Sequence, residues 1–430
     1  MSGRPLSPRI AAGGAKILYV APMRPTAVIL AAFAFGYLLS NLFRSINALI
    51  APNLVADVGL DAAALGLLSS ALLIAHGASQ LPLGVVLDRY GPRRVQTVLL
   101  SCAAIGSLIF ALGDNAVTLT LARALIGAGF GGALMSGFKA VTLSMPPDRH
   151  AIGNAMVMGV GQLGLLIATW PTEVMVSLIG WRMVFALLAL VTAAGALLYL
   201  IAVPEWPSAA PPQHWREQIA GFKRVFSDPV TWRLAPLVWL SSGTSIAMLT
   251  LWAGPWFRDV AGFDRAGVAT SLLVNAVAAT AGVFIGGFLA DRLGRRGIGV
   301  IPIMSGLLIV MMVAEVPLVL GLKDVGAVSW VVFAMTGQST ILSYTWLAAH
   351  FGTGLSSRAQ TGVNFGVFLF AFLVQYMVGE LIDLFDPTPS GGFDPVAYQV
   401  SFTIALVLQL AAFIWFLTGH AKFRSVERLS

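Results

Sequence analysis

Long apolar runs separated by short polar stretches dominate the pattern of this chain. Each run is 20 to 28 residues long, and the breaks between runs hold Pro, Gly and charged residues. Because the hydrocarbon core of a bilayer takes about 20 apolar residues per helical crossing, each run predicts a transmembrane helix. The twelve predicted spans are 27–51, 62–87, 93–112, 117–144, 151–177, 182–203, 233–254, 266–290, 297–318, 326–349, 359–384 and 398–419.

Composition supports an all-α polytopic membrane protein. The chain is 57% hydrophobic and 10% charged, whereas a soluble domain carries about 25% charged residues. Twelve spans in 430 residues leave no room for a large soluble domain. The mean hydropathy of +0.85 agrees with lipid as the main solvent.

The basic residues predict the orientation of the spans. The net charge of +7 would suggest a nucleic-acid partner in a soluble protein, but Lys and Arg accumulate in the cytoplasmic loops of membrane proteins. With both termini inside, 19 of the 26 basic residues fall in inner loops, four fall in outer loops and three lie within spans. We therefore expect a multi-pass protein of the cell inner membrane with both termini cytoplasmic, and no nucleic-acid partner.

The only long internal loop between the predicted spans, 204–232, separates the first six spans from the last six. It opens with the Pro-rich segment PEWPSAAPP and continues with Trp215, Ile219, Phe222 and Phe226 at helical spacing opposite charged residues. This pattern predicts an amphipathic helix in the membrane interface; a binding site for a soluble partner is the alternative. The predicted divisions are a cytoplasmic tail 1–26, a six-helix bundle 27–203, the linker 204–232, a second bundle 233–419 and a tail 420–430.

Motifs of enzymes and of cofactor sites are missing from the sequence. No HExxH, GxSxG or P-loop pattern occurs, and the five histidines are scattered. The single cysteine, Cys102, excludes a disulfide and a cysteine-based metal cluster. We expect no enzyme activity, no cofactor and no metal. The first 26 residues lack a short apolar core with a cleavage site, so no signal peptide is predicted.

A short segment recurs at equivalent positions of the two sets of spans. GVVLDRYGPRR at 84–94 returns as GFLADRLGRRG at 287–297, each time between the second and third span of its set. A second echo opens the fifth span of each set, where Arg149 and Gly153 correspond to Arg358 and Gly362. Two matches at equivalent positions predict duplicated six-helix halves.

These residues resemble the major facilitator superfamily of secondary transporters, in its twelve-helix bacterial type. The repeated pattern is Gly, three residues, Asp-Arg, one residue, Gly and then paired basic residues. It is similar to the signature of that family, and the chain has it twice. LARALIGAG, with Arg123, Gly127 and Gly129, is similar to its fourth-helix motif, although Ile126 replaces the usual Gln. The resemblance implies two pseudo-symmetric six-helix bundles that rock about a central cavity.

The repeated motif also yields candidate gating residues. The resemblance implies that the motif of one half closes against the fifth helix of the other, which pairs Asp88 with Arg358 and Asp291 with Arg149. The alternative is that the arginines only enforce orientation. The gating candidates are Gly84, Asp88, Arg89, Gly91, Arg149, Gly287, Asp291, Arg292, Gly294 and Arg358.

Arg44 is the leading candidate for a substrate-binding residue. A basic side chain at mid-bilayer costs about 2.5 to 3.5 kcal/mol on the insertion scale, so it normally faces protein or a water-filled interior. Asn41 and Asn47 flank Arg44 at helical spacing and complete one polar stripe.

Two other basic residues lie within the fourth span. Arg123 belongs to the family-like motif, and either lines the cavity or fixes helix packing through an ion pair. Lys139 lies roughly 160° around a straight helix from Arg123. It therefore reaches the cavity only if the run of Gly129, Gly131 and Gly132 bends the helix; otherwise it snorkels to the interface.

An interior with fixed positive charges and no acidic residue at its centre favours a small anion, which a guanidinium binds through paired hydrogen bonds. His76, one turn before Gln80, is a candidate proton carrier or a packing residue. Further candidates for the other wall are Trp252, Tyr344 and Asn364, beside Gln338, Trp346 and Gln375.

The sequence therefore predicts a monomeric secondary transporter of a small, anionic solute, working by alternating access and coupled to protons or to exchange. The fifth span lacks the Gly-Pro pair of the family's antiporters, so proton-driven drug or metabolite efflux is the alternative. A receptor with a transporter fold is a second alternative.

Overall fold

The computed structural model of the protein describes residues 26–146, 149–206, 215–388 and 392–419. No strand occurs in these ranges. The predicted terminal tails lie outside them, apart from Thr26. The helices are α1 (Thr26–Ser45), α2 (Asn47–Val58), α3 (Ala62–Leu112), α4 (Ala116–Phe130), α5 (Ala133–Ser144), α6 (His150–Ile167), α7 (Trp170–Ala202), α8 (Trp215–Ser227), α9 (Pro229–Ala247), α10 (Ala253–Asp259), α11 (Arg265–Gly294), α12 (Val300–Val319), α13 (Lys323–Thr336), α14 (Leu342–Ile382) and α15 (Pro395–Thr418).

The helices account for twelve membrane crossings. Eleven segments of the described chain are long and apolar enough to span a bilayer. The remaining crossing begins with the shorter apolar helix Ile152–Ile167 and continues past a break at 168–169 into the first turns of α7. The predicted all-α membrane fold with twelve spans is confirmed.

Each copy of the repeated motif reverses the chain at a glycine, but not at the same glycine. In the first copy Gly91 has φ +74° within α3, a conformation that L side chains rarely adopt. In the second copy Gly294 is the last residue of α11, and Gly297 makes the reversal at φ +81°. We call the end of the bundle that holds these glycines the motif end.

Side-chain caps begin several helices at the other end of the bundle, which we call the opposite end. Asp61, Asn115 and Asp264 each accept a hydrogen bond from the backbone N–H three residues on, and so start α3, α4 and α11. Asp394 caps α15 in the same way through Val396. Such caps satisfy N–H groups that the helix itself leaves without partners.

Glycines bring the helices of the first half close together. A Cβ at Gly127 would lie 2.1 Å from the backbone oxygen of Leu72, and one at Gly129 would lie 2.5 Å from that of Leu99. The glycines of the fourth-helix motif therefore let α4 pack directly on the backbone of α3. The two halves meet mainly along α3 and α14, with the central cavity beside this seam.

The linker contains the predicted amphipathic helix, here α8. Val225 is buried, and the rings of Phe222 and Phe226 lie against Gly362 of α14. Ile219 is 64% exposed. Part of the apolar face thus packs on the second half, while its location in the membrane interface stays a prediction. Residues 207–214 and the side chain of Trp215 lie outside the described part of the chain.

Candidate functional site

A cavity of about 260 Å³ lies between the two halves and is lined by residues of both. Ligand pockets usually measure roughly 300 to 1,000 Å³, so the volume favours a small solute. Most of its wall is apolar, with polar side chains at a few points.

Helix interruptions bring backbone and polar groups to this cavity. The chain breaks at Ile46 between α1 and α2, at 131–132 between α4 and α5, and at 168–169 between α6 and α7. In the second half, α9 passes into a π-helix at Met248–Trp252, and a 3₁₀ turn at Ser339–Ile341 separates α13 from α14. Lining residues at or beside these breaks are Ser45, Gly131, Ala168, Thr169, Thr250, Gly337, Gln338 and Thr340. Irregular backbone at membrane depth is tolerated where it lines a cavity.

Arg44 is the only Lys, Arg, Asp or Glu among the described residues that line the cavity. Its guanidinium donates to the side-chain oxygen of Asn41, and the amide of Asn41 donates to the backbone oxygen of Gly161 at 2.9 Å. Asn41 is fully buried, so it braces the arginine from α1 against α6. The charge of this guanidinium makes the cavity wall electropositive in the described chain.

A chain of hydrogen bonds links the two halves beside the cavity. The hydroxyl of Tyr344 donates to Asn364 at 2.8 Å, and the amide of Asn364 donates to Gln80 at 2.6 Å. His76 lines the cavity one turn from Gln80, with its ring centroid 4.6 Å from that of Phe368. The structure thus brings His76, Tyr344 and Asn364 to the same cavity as Arg44.

The remaining candidates for the cavity wall are placed elsewhere in this arrangement. Asn47 is buried and donates to Ser69 at 2.6 Å, and the indole of Trp252 donates to the backbone of Gln375 at 3.2 Å. The chain does break at 131–132, yet Lys139 is not among the described residues lining the cavity. Asn47, Trp252 and Lys139 are therefore not part of the cavity wall in this structure, and their role in solute binding stays a prediction.

Arg123 is also outside the cavity lining, and it is 1% exposed. Its carbon Cζ lies 5.7 Å from the centroid of the Phe110 ring, while Nε and Nη1 have no hydrogen-bond partner among the described residues. The ion pair considered for it is therefore not formed within the described chain. A cation–π contact is the interaction that the structure gives this guanidinium.

Hydrogen bonds and an ion pair join the two halves at the opposite end. The carboxylate of Asp383 accepts from the backbone N–H groups of Ala62 at 2.8 Å and Ala63 at 2.6 Å. Arg265 pairs with Glu173 and donates to Asn53 at 3.1 Å.

The gating candidates at the motif end are largely exposed. Asp291 of α11 pairs at 2.9 Å with Arg295, the residue that follows this helix, and Arg149 is exposed. Arg358 lies against Gly221 of α8. The side chain of Asp88 lies outside the described residues, so both predicted latch pairs stay predictions. The other gating candidates Gly84, Arg89, Gly287, Arg292 and Gly294 are exposed, and Gly91 is half-buried.

Sequence reasoning did not select Asn275 or Ser245, although both line the cavity. Asn275 is the only Asn or Gln in the apolar run 266–290, a signal that would have found it. Within the described ranges, no group of three His, Cys, Asp or Glu side chains is arranged to bind a metal.

Comparisons with known proteins agree with this architecture. The family model "Major Facilitator Superfamily" matches residues 33–374. The "Probable sulfoacetate transporter SauU" of Cupriavidus necator is 25% identical over 282 residues, which cover 63% of this chain and 66% of that protein, just under two thirds of its length. The "Nitrite extrusion protein" of Bacillus subtilis is 21% identical over 314 residues, or 73% of this chain and 75% of that protein.

Solved structures share the fold at low sequence identity. A bacterial homologue of the human lysosomal transporter Spinster, in an inward-facing and unoccupied conformation, matches with a TM-score of 0.70 and 18% identity, covering 94% of this chain and 98% of that one. The nucleoside transporter NupG matches with a TM-score of 0.72 and 15% identity, covering 92% and 99%. The chain is therefore a multi-pass membrane transporter for a small-molecule solute and not an enzyme, and it belongs to the Major Facilitator Superfamily.

Proposed function

We propose that the protein is a secondary active transporter that moves a small anion across the cell inner membrane by alternating access. The observation that carries the proposal is the single charge of the cavity wall, the half-buried guanidinium of Arg44, with no carboxylate among the described lining residues. In a site partly withdrawn from water, this charge favours an anion and disfavours a cation. Relatives named for sulfoacetate and nitrite, both anions, support the same class.

The proposed cycle uses the two ends of the bundle in turn. With the opposite end closed, the solute exchanges through the motif end, which we expect to face the cytoplasm. Closing the motif end would pair Asp88 with Arg358 and Asp291 with Arg149 while the opposite-end contacts separate. Net transport then needs coupling to protons, for which His76 is the cavity-lining candidate, or to exchange of a second anion.

Anion binding by Arg44 is testable with purified protein. A ligand at 100 times its Kd stabilises the folded state by about 2.7 kcal/mol, so thermal unfolding against an anion library identifies binders. Arg44→Gln should remove the stabilisation by these anions and abolish their uptake into proteoliposomes, while insertion into the membrane is kept. Arg44→Lys keeps the charge but loses the paired donors, so we expect partial activity.

A matched control separates the cavity charge from the general loss of a positive charge. Arg224 lies exposed on α8, and Arg224→Gln should leave anion binding and uptake unchanged. Normal affinity and uptake rate in Arg44→Gln would refute the proposal. Anion binding without accumulation by the wild-type protein would instead identify a receptor. Anion export in place of uptake would show that the protein transports its solute outward.

A further inference from the structure

Two polar side chains on the second-half wall of the cavity have no hydrogen-bond partner within the described chain. Asn275 of α11 is 4% exposed, and both its amide nitrogen and its amide oxygen are unpartnered. Ser245 of α9 is fully buried with an unpartnered hydroxyl. Both residues line the cavity. A buried polar group without a partner costs about 1 to 3 kcal/mol, so these two groups call for an explanation.

Ser242 and Thr250, two other polar residues of the same wall, form hydrogen bonds within the protein. The hydroxyl of Ser242 bonds that of Thr340, and the hydroxyl of Thr250 donates to the backbone of Ile246 at 2.7 Å. These groups serve the packing of helices. Asn275 and Ser245 differ because their side-chain polar atoms are buried without a partner in the described chain, while both residues line the cavity.

The two walls also differ in charge. The wall of the first half carries the guanidinium of Arg44, whereas the lining residues of the second half are uncharged in the described chain. A solute that spans the cavity would therefore meet a cation at one end and an amide and a hydroxyl at the other. A second ionised group placed at the uncharged end would lose its hydration without meeting an opposite charge.

We infer that Asn275 and Ser245 form a second subsite, which makes the solute a small monoanion with an uncharged hydrogen-bonding group, such as a hydroxyl, away from its acid group. This inference rests on the proposed function, because Arg44 holds the acid group. Asn275 can both donate to and accept from such a group, so it would select for a polar end without demanding a charge. The cavity of about 260 Å³ limits the solute to a short chain.

Matched pairs of acids test the subsite in purified, full-length protein. Binding of 3-hydroxypropionate is compared with propionate, 4-hydroxybutyrate with butyrate, and succinate serves as the dianion. The wild-type protein should bind each hydroxy acid roughly three- to tenfold more tightly than its parent, as one hydrogen bond contributes. Asn275→Leu, of similar volume, should reduce this preference to about one, and Ser245→Ala should reduce it in part.

A control and a second measurement separate recognition from folding. Asn154 of α6 also has an unpartnered amide oxygen but does not line the cavity, so Asn154→Leu should keep the preference for the hydroxy acids. The solute-free Asn275→Leu protein should unfold at the same temperature as wild type or higher, because it loses an unsatisfied buried amide. A residue that only held the fold would lower that temperature.

The outcomes distinguish the subsite from the proposed function. Unchanged binding of all the acids in Arg44→Gln would refute anion binding at this cavity. Loss of binding in Arg44→Gln, together with an intact hydroxy-acid preference in Asn275→Leu, would overturn the subsite alone. Wild-type protein that binds no hydroxy acid more tightly than its parent, or that binds succinate most tightly, would also overturn the subsite.

Discussion

The hydrogen bonds of Asp383 should set the balance between the two open states of the transporter. The carboxylate spans the two halves and occupies the N–H groups of Ala62 and Ala63 at the start of α3, where Asp61 of the same helix accepts from Ala64 at 2.7 Å. The first N–H groups of α3 are thus capped jointly by both halves. When the halves separate at this end, Asp383 leaves and its two donors return to water.

The magnitude follows from the exposure of the contact. A capping side chain contributes about 0.5 to 2 kcal/mol, and a carboxylate near the positive end of the helix dipole adds typically 0.3 to 1 kcal/mol. Asp383 is exposed, so solvent competes for the same groups and exposed ion pairs retain only about 0.2 to 1 kcal/mol. We therefore expect a contribution of about 1 kcal/mol, which is about a fivefold shift in the equilibrium.

Distances between spin labels can measure this shift. Asp114 and Lys323 are exposed at the opposite end in different halves, and Cys102 is the only native thiol to replace. In a Cys102→Ser background with labels at 114 and 323, Asp383→Ala should raise the population of long distances about fivefold. Asp383→Asn keeps one acceptor but loses the charge, so it should produce a smaller increase.

A control in the same loop tests the cause. Asp386 is exposed three residues further along, and Asp386→Ala removes the same charge from the same surface. The reasoning would be refuted by an unchanged distance distribution in Asp383→Ala, or by an equal change in Asp386→Ala. An effect that survives at 1 M salt would assign the contact to hydrogen bonding rather than to charge, because the Debye length there is only about 3 Å.

Two further predictions concern the latch and the helix packing. Asp88→Arg and Arg358→Asp should each slow uptake, and the double reversal should recover part of the lost uptake rate. The recovery should be small, since an exposed ion pair contributes about 0.2 to 1 kcal/mol. At matched expression, a double variant that is no faster than the slower single variant would show that the two residues do not pair. Gly127→Ala should lower the thermal unfolding temperature by several degrees, because the added Cβ would lie 2.1 Å from the backbone oxygen of Leu72. Gly159→Ala is the control and should leave that temperature unchanged, because its Cβ would meet open space.

The spans were predictable because lipid imposes one rule on every helix. Backbone groups in the bilayer must be satisfied within the helix, so span length and hydropathy leave little freedom. Span bounds such as 62–87 and 93–112 therefore agree with α3 and its reversal at Gly91. The break at 168–169 has a local signal, because Pro171 stands at the start of α7. The break at Ile46 carries no such signal and depends on how neighbouring helices pack, which the pattern of one segment does not contain.

The site was only partly predictable, for a related reason. Arg44 and Arg123 have the same cost in lipid, so that cost alone identifies both as facing inward. That cost does not distinguish a side chain that lines the cavity, as Arg44 does, from one that is packed between helices, as Arg123 is beside Phe110. Trp252 is a similar case, because its indole finds the backbone of Gln375 rather than the cavity. Helix rotation and crossing decide these outcomes, and both arise from contacts distant in sequence.

The modest strength of the end contacts suits the way a solute can drive the cycle. A ligand shifts a conformational equilibrium only by the difference between its affinities for the two states. For one guanidinium and a few hydrogen bonds, the difference in binding free energy between the two states is a few kcal/mol at most. Moving a conformational equilibrium from 1:99 to 99:1 takes about 5.5 kcal/mol, so the contacts at the ends must be weak. A contact shielded from solvent at both partners would be screened less and would be harder to separate. In the proposed cycle, solute binding at Arg44 would have to overcome the contacts of Asp383, which is exposed, and of Arg265, which is half-exposed although its partner Glu173 is buried.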